Sequence, residues 1–175
     1  MSTRSLITIE QPDGTYRAIY CHCDGYLTHN GAMLLDHYKD RNKVQELLNL
    51  GDLSVLAPNV HPDPAKSHSF EYGERQEGVV VAYQRDRGET NCDAKIMSLD
   101  ELFEQSWIEY FYVFDLNNEW KYYDYDEPYE LKDVREDLDK EYVNIGLIRP
   151  KNFYGYWTNP AIEIEKKKQQ QQEQE

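Results

Sequence analysis

The chain has 175 residues, of which 30% are charged, 39% are hydrophobic and 13% are aromatic, and its formal net charge is −14. That length suits one domain, and the aromatic content is too high for a disordered acidic chain, so we expect a packed core. The acidic balance argues against direct binding of nucleic acid or of an anionic membrane, because both require a basic surface. It is compatible with a basic protein partner.

Cysteine count and hydropathy favour a cytoplasmic protein, and no motif in the sequence indicates a cofactor. Three cysteines give no paired disulfide framework, and no apolar run approaches the length that spans a bilayer. Residues 165 to 175, with three consecutive lysines and a glutamine run, form a low-complexity tail that we expect to be disordered. A single domain should therefore cover residues 1 to 164, and whether it forms a homo-oligomer stays open.

The first part of the chain predicts a hairpin followed by two helices. Ser5 to Ile9 and Thr15 to His22 read as strands, and the residues between them carry a turn signal. Apolar side chains of residues 33 to 38 share a helical face. A second helix is expected over residues 40 to 51, capped by the aspartate at its start and ended by the glycine.

The middle of the chain predicts a buried strand, a short helix and a second hairpin. Residues 78 to 83 are apolar on both faces, which is typical of a central strand. Ser98 and Glu101 form a capping box for the short helix. Ile108 to Phe114 and Trp120 to Tyr125 alternate as the strands of the second hairpin.

The last elements complete the predicted fold. We expect a helix over residues 134 to 142 and a short strand or extended segment over residues 144 to 148. Antiparallel strands mixed with three or four short helices on an uninterrupted chain indicate a single α+β domain. Its sheet should be mainly antiparallel and built from hairpins.

Acidic residues concentrate between Asp93 and Glu141, where 16 Asp and Glu stand against 5 Lys and Arg. Carboxylates on a hairpin and an adjoining helix can imitate backbone phosphates, which carry about one charge per 1.7 Å of duplex axis. Such a face would bind the basic groove of a nuclease or a CRISPR-type effector, whereas the alternative is a solvated face that only keeps the protein soluble. The candidate partner-binding residues are Asp124, Asp126, Glu127, Glu130, Asp133, Glu136, Asp137, Asp139 and Glu141, with Tyr122, Tyr123, Tyr125 and Tyr129 as anchors.

The run Arg85 to Glu89 suggests a second function, the binding of a nucleotide. Two arginines two residues apart could hold a phosphate bidentately, and Gly88 would allow a close backbone turn. The pattern favours the alternative, in which the arginines pair locally with Asp86 and Glu89. The candidate ligand-binding residues are Arg85, Arg87, Tyr20, Tyr26 and Tyr83.

The run Cys21, His22, Cys23 and Asp24 is the nearest approach to a metal site. Structural zinc sites use paired couples of ligands, and here one Cys-x-Cys stands alone. On a strand its two thiols would face away from the histidine and the aspartate. We therefore predict no metal site, and no catalytic motif identifies an enzyme.

Several strings in the first ninety residues resemble small accessory proteins of tailed bacteriophages and prophages. They are Ser2-Thr3-Arg4-Ser5, Tyr20-Cys21-His22-x-Asp24-Gly25-Tyr26 and Arg85-Asp86-Arg87-Gly88-Glu89. The resemblance implies a viral gene product that acts in an infected bacterium, and it brings no established activity with it. Because many such proteins disarm host defences, the leading hypothesis is a counter-defence protein that binds a basic host protein.

Overall fold

The two hairpins predicted from strand patterns and turn signals are present and form the middle of one sheet. The computed structural model describes residues 2–149 and 152–155. In that part of the chain the strands are β1 (Ser5–Glu10), β2 (Tyr16–Cys21), β3 (Leu53–Val55), β4 (Val81–Ala82), β5 (Lys95–Met97), β6 (Tyr110–Phe114), β7 (Trp120–Asp124) and β8 (Lys132–Asp133). The α-helices there are α1 (Ala32–His37), α2 (Arg41–Asn49), α3 (Tyr83–Arg87), α4 (Leu99–Phe103) and α5 (Val134–Asn144). A π-helical turn (Leu27–Gly31) leads into α1.

The strands form one mixed sheet in the order β4-β3-β2-β1-β6-β7-β8, and β5 also pairs with β2. Pairing is antiparallel except between β1 and β6 and between β2 and β3. The predicted single α+β domain with a mostly antiparallel sheet is therefore confirmed. The described residues contain five α-helices instead of the predicted three or four, because α3 was not expected. The predicted domain end at residue 164 and the tail from 165 to 175 lie outside the described residues.

Both faces of the central strands are buried, so the sheet has two cores. On one face α1, α2 and α5 pack against side chains that include Ile7, Ile19 and Tyr112. On the other face Leu102 of α4 packs with Phe111. Successive residues of β6 point to opposite sides of the sheet, and each side meets a hydrophobic layer.

Buried aromatic side chains place their polar atoms on backbone oxygens. The hydroxyl group of Tyr38 donates to the carbonyl of Ala57 at 2.6 Å. The indole nitrogen of Trp120 donates to the carbonyl of Tyr38 at 2.8 Å, which ties β7 to the end of α1. These bonds remove the desolvation cost that an unpartnered buried donor would carry.

The structure differs from the sequence-based predictions in three places: the apolar run 78 to 83, the charged run that follows it and the segment at the end of α5. Residues 78 to 83 do not form a central strand: only Val81 and Ala82 are strand, and β4 lies at the edge of the sheet. Its apolar residues are buried although no further strand of the described residues pairs beyond it. The charged run after it is the helix α3, which ends at Gly88 with a φ of 75°. Of the two forms expected over residues 144 to 148, the strand is absent: α5 extends to Asn144, residues 145 and 146 form a turn and residues 147 to 149 are coil.

Helix α4 is short and depends on its first turn. Ser98 accepts a hydrogen bond from the amide of Glu101, and the Glu101 side chain bonds back to the Ser98 amide, which confirms the predicted capping box. None of the helices among the described residues combines the length and the apolar character needed to cross a membrane.

Replacing Ser98 with alanine should lower the free energy of unfolding by about 1 kcal/mol, because an amide at the start of α4 loses its acceptor. Chemical denaturation of the two proteins measures this difference. Ser67→Ala is the matched control, since the Ser67 hydroxyl makes no hydrogen bond within the described part of the chain. Equal losses in the two variants would contradict a specific role of the cap.

Candidate functional site

A groove of about 760 Å³ lies where β6 begins and β7 ends. One wall runs from Phe103, the last residue of α4, to Glu109, and the other runs from Asp124, the last residue of β7, to Asp126. Its floor includes Ile108 and Phe111, two buried residues of the second core. The capping box of α4 and the pairing of β6 with β7 therefore hold the two walls in place.

Two aromatic residues at the groove are exposed to solvent. The side chain of Trp107 is 80% exposed and that of Tyr125 is 73% exposed, and both line the groove. Trp107 also has a φ of 69°, a left-handed conformation that a bulky residue rarely adopts. Such a conformation costs about 1 to 3 kcal/mol, and residues held this way concentrate at binding sites.

A third exposed aromatic residue borders the groove. Tyr129 has a φ of 68°, and its ring lies 4.6 Å from that of Phe103, which is a lining residue. Its hydroxyl group donates a hydrogen bond to Asp100 on α4, and this bond raises the pKa of Tyr129. The bond connects the loop after β7 to α4, the helix that leads into the other wall.

Among the described residues, the charged side chains that line the groove are all acidic. They are Glu104, Glu109, Asp124 and Asp126. Asp124 is paired with Lys132 at 2.7 Å, whereas no ion pair of the other three occurs within the described residues. Burial raises the pKa of the lining residue Tyr110, and the carboxylates of Glu141, Asp124, Glu109 and Asp126 raise it further.

The exposed aromatic rings and the carboxylates of the groove together suit a cationic side chain. A guanidinium or ammonium group over the face of Trp107 gains about 0.5 to 1 kcal/mol at an exposed site, and each carboxylate in reach adds an ion pair. The planar guanidinium group satisfies both requirements, because it stacks on aromatic rings and bonds bidentately to carboxylates. The groove therefore fits an arginine-containing segment.

The predicted partner-binding acids do not converge on one free patch. Six of the nine have a local partner. Lys132 pairs with Asp124 and with Glu127, and Lys121 pairs with Asp133. Lys140 pairs with Glu136, Arg149 pairs with Asp139, and the carboxylate of Asp137 accepts a hydrogen bond from the hydroxyl of Tyr122. The pKa of Glu130 is raised because its carboxyl group hydrogen-bonds to that of Glu127. Glu141 lies on α5, where burial and the charge of Asp137 raise its pKa. Asp126 alone of the nine both lines the groove and has no ion pair within the described structure.

The predicted tyrosine anchors divide into two classes. Tyr125 and Tyr129 are exposed, as an anchor requires. Tyr122 and Tyr123 are each 6% exposed and point into opposite cores of the sheet, so the expectation that they contact a partner must be corrected. The physical reason is that β7 is covered on both faces.

The predicted nucleotide contact Arg85 must also be corrected. Its Nη1 and Nη2 donate to the carbonyls of Val60 at 2.6 Å and Val80 at 2.7 Å, and its Nε donates to Asp86 at 2.9 Å. Arg87 pairs with Glu89 at 3.3 Å. The local pairing that the sequence pattern favoured is thus present for both arginines.

The three predicted stacking tyrosines each contact a different residue. Tyr83 packs at 5.5 Å against Phe70, near Arg87. The hydroxyl of Tyr20 bonds to His22 at 2.7 Å, and that of Tyr26 donates to Asp24 at 3.2 Å next to the π-helical turn.

The Cys21 to Asp24 segment does not assemble a metal site. The buried Cys21 thiol contacts Asn30, and burial raises the pKa of that thiol to about 12, which makes it a poor nucleophile and ligand. His22 and Asp24 each bond to a different tyrosine. No group of three or more potential metal ligands occurs among residues 2–149 and 152–155.

Sequence reasoning missed Trp107, Glu104 and Glu109. All three follow a capped short helix, in a segment where one tryptophan stands between acids and polar residues. The available signal is that both residues two positions from Trp107, Gln105 and Glu109, are polar, so that Trp107 does not continue an apolar strand face.

Comparison of this chain with protein-family models, with curated proteins and with solved structures finds no match. The functional conclusion therefore depends on the geometry of the groove.

Proposed function

We propose that this protein binds an arginine-rich segment of a partner protein in the groove between the α4–β6 loop and the β7–β8 loop. The observation that carries the proposal is the exposed Trp107, held at a positive φ beside three carboxylates without ion pairs among the described residues. Cation–π contact and ion pairing favour the same kind of partner side chain.

The proposed setting is the cytoplasm of an infected bacterium, with a basic surface of a nucleic-acid-targeting defence protein as the partner. The resemblance of the first ninety residues to phage accessory proteins supports this setting. Enzymes that hold nucleic acid carry arginines and lysines along the backbone path, and an acidic groove competes for those side chains. In this proposal the carboxylates that imitate nucleic-acid phosphates are those of the groove, and not those of the whole acidic half of the chain.

A short arginine-rich peptide and its citrulline counterpart test the proposal. Citrulline keeps the shape of arginine and removes the charge, so only the arginine peptide should bind when either is titrated while tryptophan fluorescence is followed. Binding should weaken as ionic strength rises from about 0.01 M to 0.15 M, because screening shortens the range of the charges. Equal binding of both peptides, or binding of neither, contradicts the proposal.

The triple variant Glu104→Gln, Glu109→Gln and Asp126→Asn should bind the arginine peptide about tenfold more weakly, from three surface ion pairs of about 0.5 kcal/mol each. The control variant Glu46→Gln, Glu71→Gln and Glu77→Gln removes the same charge from exposed positions outside the groove. A comparable loss in both variants would mean that overall charge, and not the groove, attracts the peptide.

A further inference from the structure

A cluster of arginines and aromatic rings lies away from the groove, in the loop before β4 and at the end of α3. Its centre is Phe70, whose ring centroid is 5.3 Å from the guanidinium carbon of Arg75 and 4.7 Å from that of Arg87. Tyr83 packs on the same ring, and Arg75 also lies 5.1 Å from the ring of Tyr72. We call these five residues the arginine–aromatic cluster.

The two guanidinium groups of the cluster retain free donors. Arg75 uses its Nε for the carbonyl of Phe70 at 3.0 Å, and Arg87 uses its Nε for Glu89 at 3.3 Å. Within the described residues, no protein acceptor bonds to the terminal nitrogens of either group. Arg85, which also belongs to α3, differs because all its side-chain nitrogens have protein acceptors.

The cluster is fixed in place by bonds beneath it. The amide of Phe70 donates to the carbonyl of Asp86 at 3.1 Å, which joins the loop to α3. His68 is buried beside Asp86, with its Nε2 3.4 Å from the carboxylate, and its Nδ1 accepts from the amide of Gln76. The positions of Arg75 and Arg87 are therefore set before any ligand arrives, which lowers the entropy lost on binding.

The exposed face of the cluster combines two chemistries. Arg75 and Arg87 can donate paired hydrogen bonds to phosphate oxygens, because the guanidinium fork matches that geometry. Tyr72 is 89% exposed and offers a ring face for a planar base. Three glutamates on the same segments, Glu71, Glu74 and Glu89, limit how much negative charge the surface accepts.

We infer that the arginine–aromatic cluster binds a nucleoside phosphate, with the phosphates on Arg75 and Arg87 and the base against Tyr72. A small ligand is favoured over a nucleic-acid strand, because a chain with a net charge of −14 repels a long polyanion. This site does not depend on the groove, and neither ligand needs the other.

Calorimetric titration of the full chain with adenosine diphosphate tests the inference. Adenosine diphosphate should bind, and adenosine and pyrophosphate should each bind at least about tenfold more weakly, because each uses only one half of the site. A flat titration with adenosine diphosphate, or tighter binding of a single-stranded oligonucleotide, overturns the inference.

Variants of the cluster's polar side chains locate the site. Arg75→Gln with Arg87→Gln should abolish measurable binding of adenosine diphosphate, and Tyr72→Ala should weaken it about tenfold. The control Arg17→Gln with Arg135→Gln removes the same charge elsewhere and should leave binding unchanged. Unchanged binding in the Arg75 and Arg87 variant, or an equal loss in the control, overturns the inference even if the groove binds its peptide.

Discussion

Replacing Asp86 with alanine is expected to lower the free energy of unfolding by about 3 kcal/mol, the range found when one partner of a buried ion pair is removed. The Asp86 side chain is only 3% exposed. Its carboxylate accepts from Arg85 and, at 2.8 Å, from the amide of Ala82. The variant leaves both donors without that acceptor in a site that water reaches poorly.

Denaturant unfolding measures this loss, and an unchanged slope with denaturant would show that the folded state stays compact. Glu89→Ala is the matched control, since Glu89 pairs with the exposed Arg87 and should contribute less than about 1 kcal/mol. A loss for Asp86→Ala as small as that of the control would contradict the role of the buried pair.

The ion pair between Asp86 and Arg85 also makes the stability of the protein depend on pH. Burial alone would raise the pKa of Asp86, but the hydrogen bonds from Arg85 and Ala82 outweigh it and hold the pKa below its usual 3.8. Because the pKa of Asp86 is lower in the folded state, its carboxylate contributes fully to stability at pH values above the pKa that it has in the unfolded chain. This contribution is lost as the pH falls through the pKa that it has in the folded protein. The stability difference between the native protein and Asp86→Ala should therefore narrow in acid.

Replacing Trp107 with glycine is expected to weaken binding of the arginine peptide about 30-fold, as removal of a hot-spot residue worth about 2 kcal/mol does. Stability should not fall in parallel. Trp107 is 80% exposed at a φ of 69°, and glycine adopts that conformation without steric cost. The relief of this steric cost in the folded state offsets the larger conformational entropy that glycine has in the unfolded chain.

Fluorescence anisotropy of a labelled peptide measures the loss of binding, and thermal unfolding measures stability. Tyr72→Ala is the control, because it removes an exposed aromatic ring outside the groove. A fall in affinity that is matched by a fall in stability, or retained affinity, would contradict the assignment of Trp107 as an anchor. The two variants together also separate the groove from the arginine–aromatic cluster.

Local signals in the sequence predicted most of the fold. The turn before Thr15, the aspartate before α2 and the Ser98 capping box each involve residues a few positions apart, and all three are present. The run at 78 to 83 was misread because burial by a loop and burial by neighbouring strands leave the same apolar pattern. The pairing of β1 with β6 could not be read from either strand alone.

The candidate site was predicted only in part, for two physical reasons. Counting charges cannot show which carboxylates have a lysine beside them in space, as Asp124 and Glu127 have in Lys132. Strand alternation cannot show whether a second core covers the outer face, which is what buries Tyr123. Trp107 was overlooked because its position on the wall depends on how the segment after α4 packs beside the end of β7, which strand alternation does not show.

The parallel pairing of β1 with β6 has a consequence for synthesis of the chain. Ser5 pairs with Tyr110 and Ile9 with Phe114, so the middle of the sheet joins segments about a hundred residues apart. At about 5 to 20 residues per second, the N-terminal hairpin waits roughly 5 to 20 s on the ribosome for the strand that covers its open edge. Nascent chains of this protein should therefore depend on chaperones until β6 has emerged.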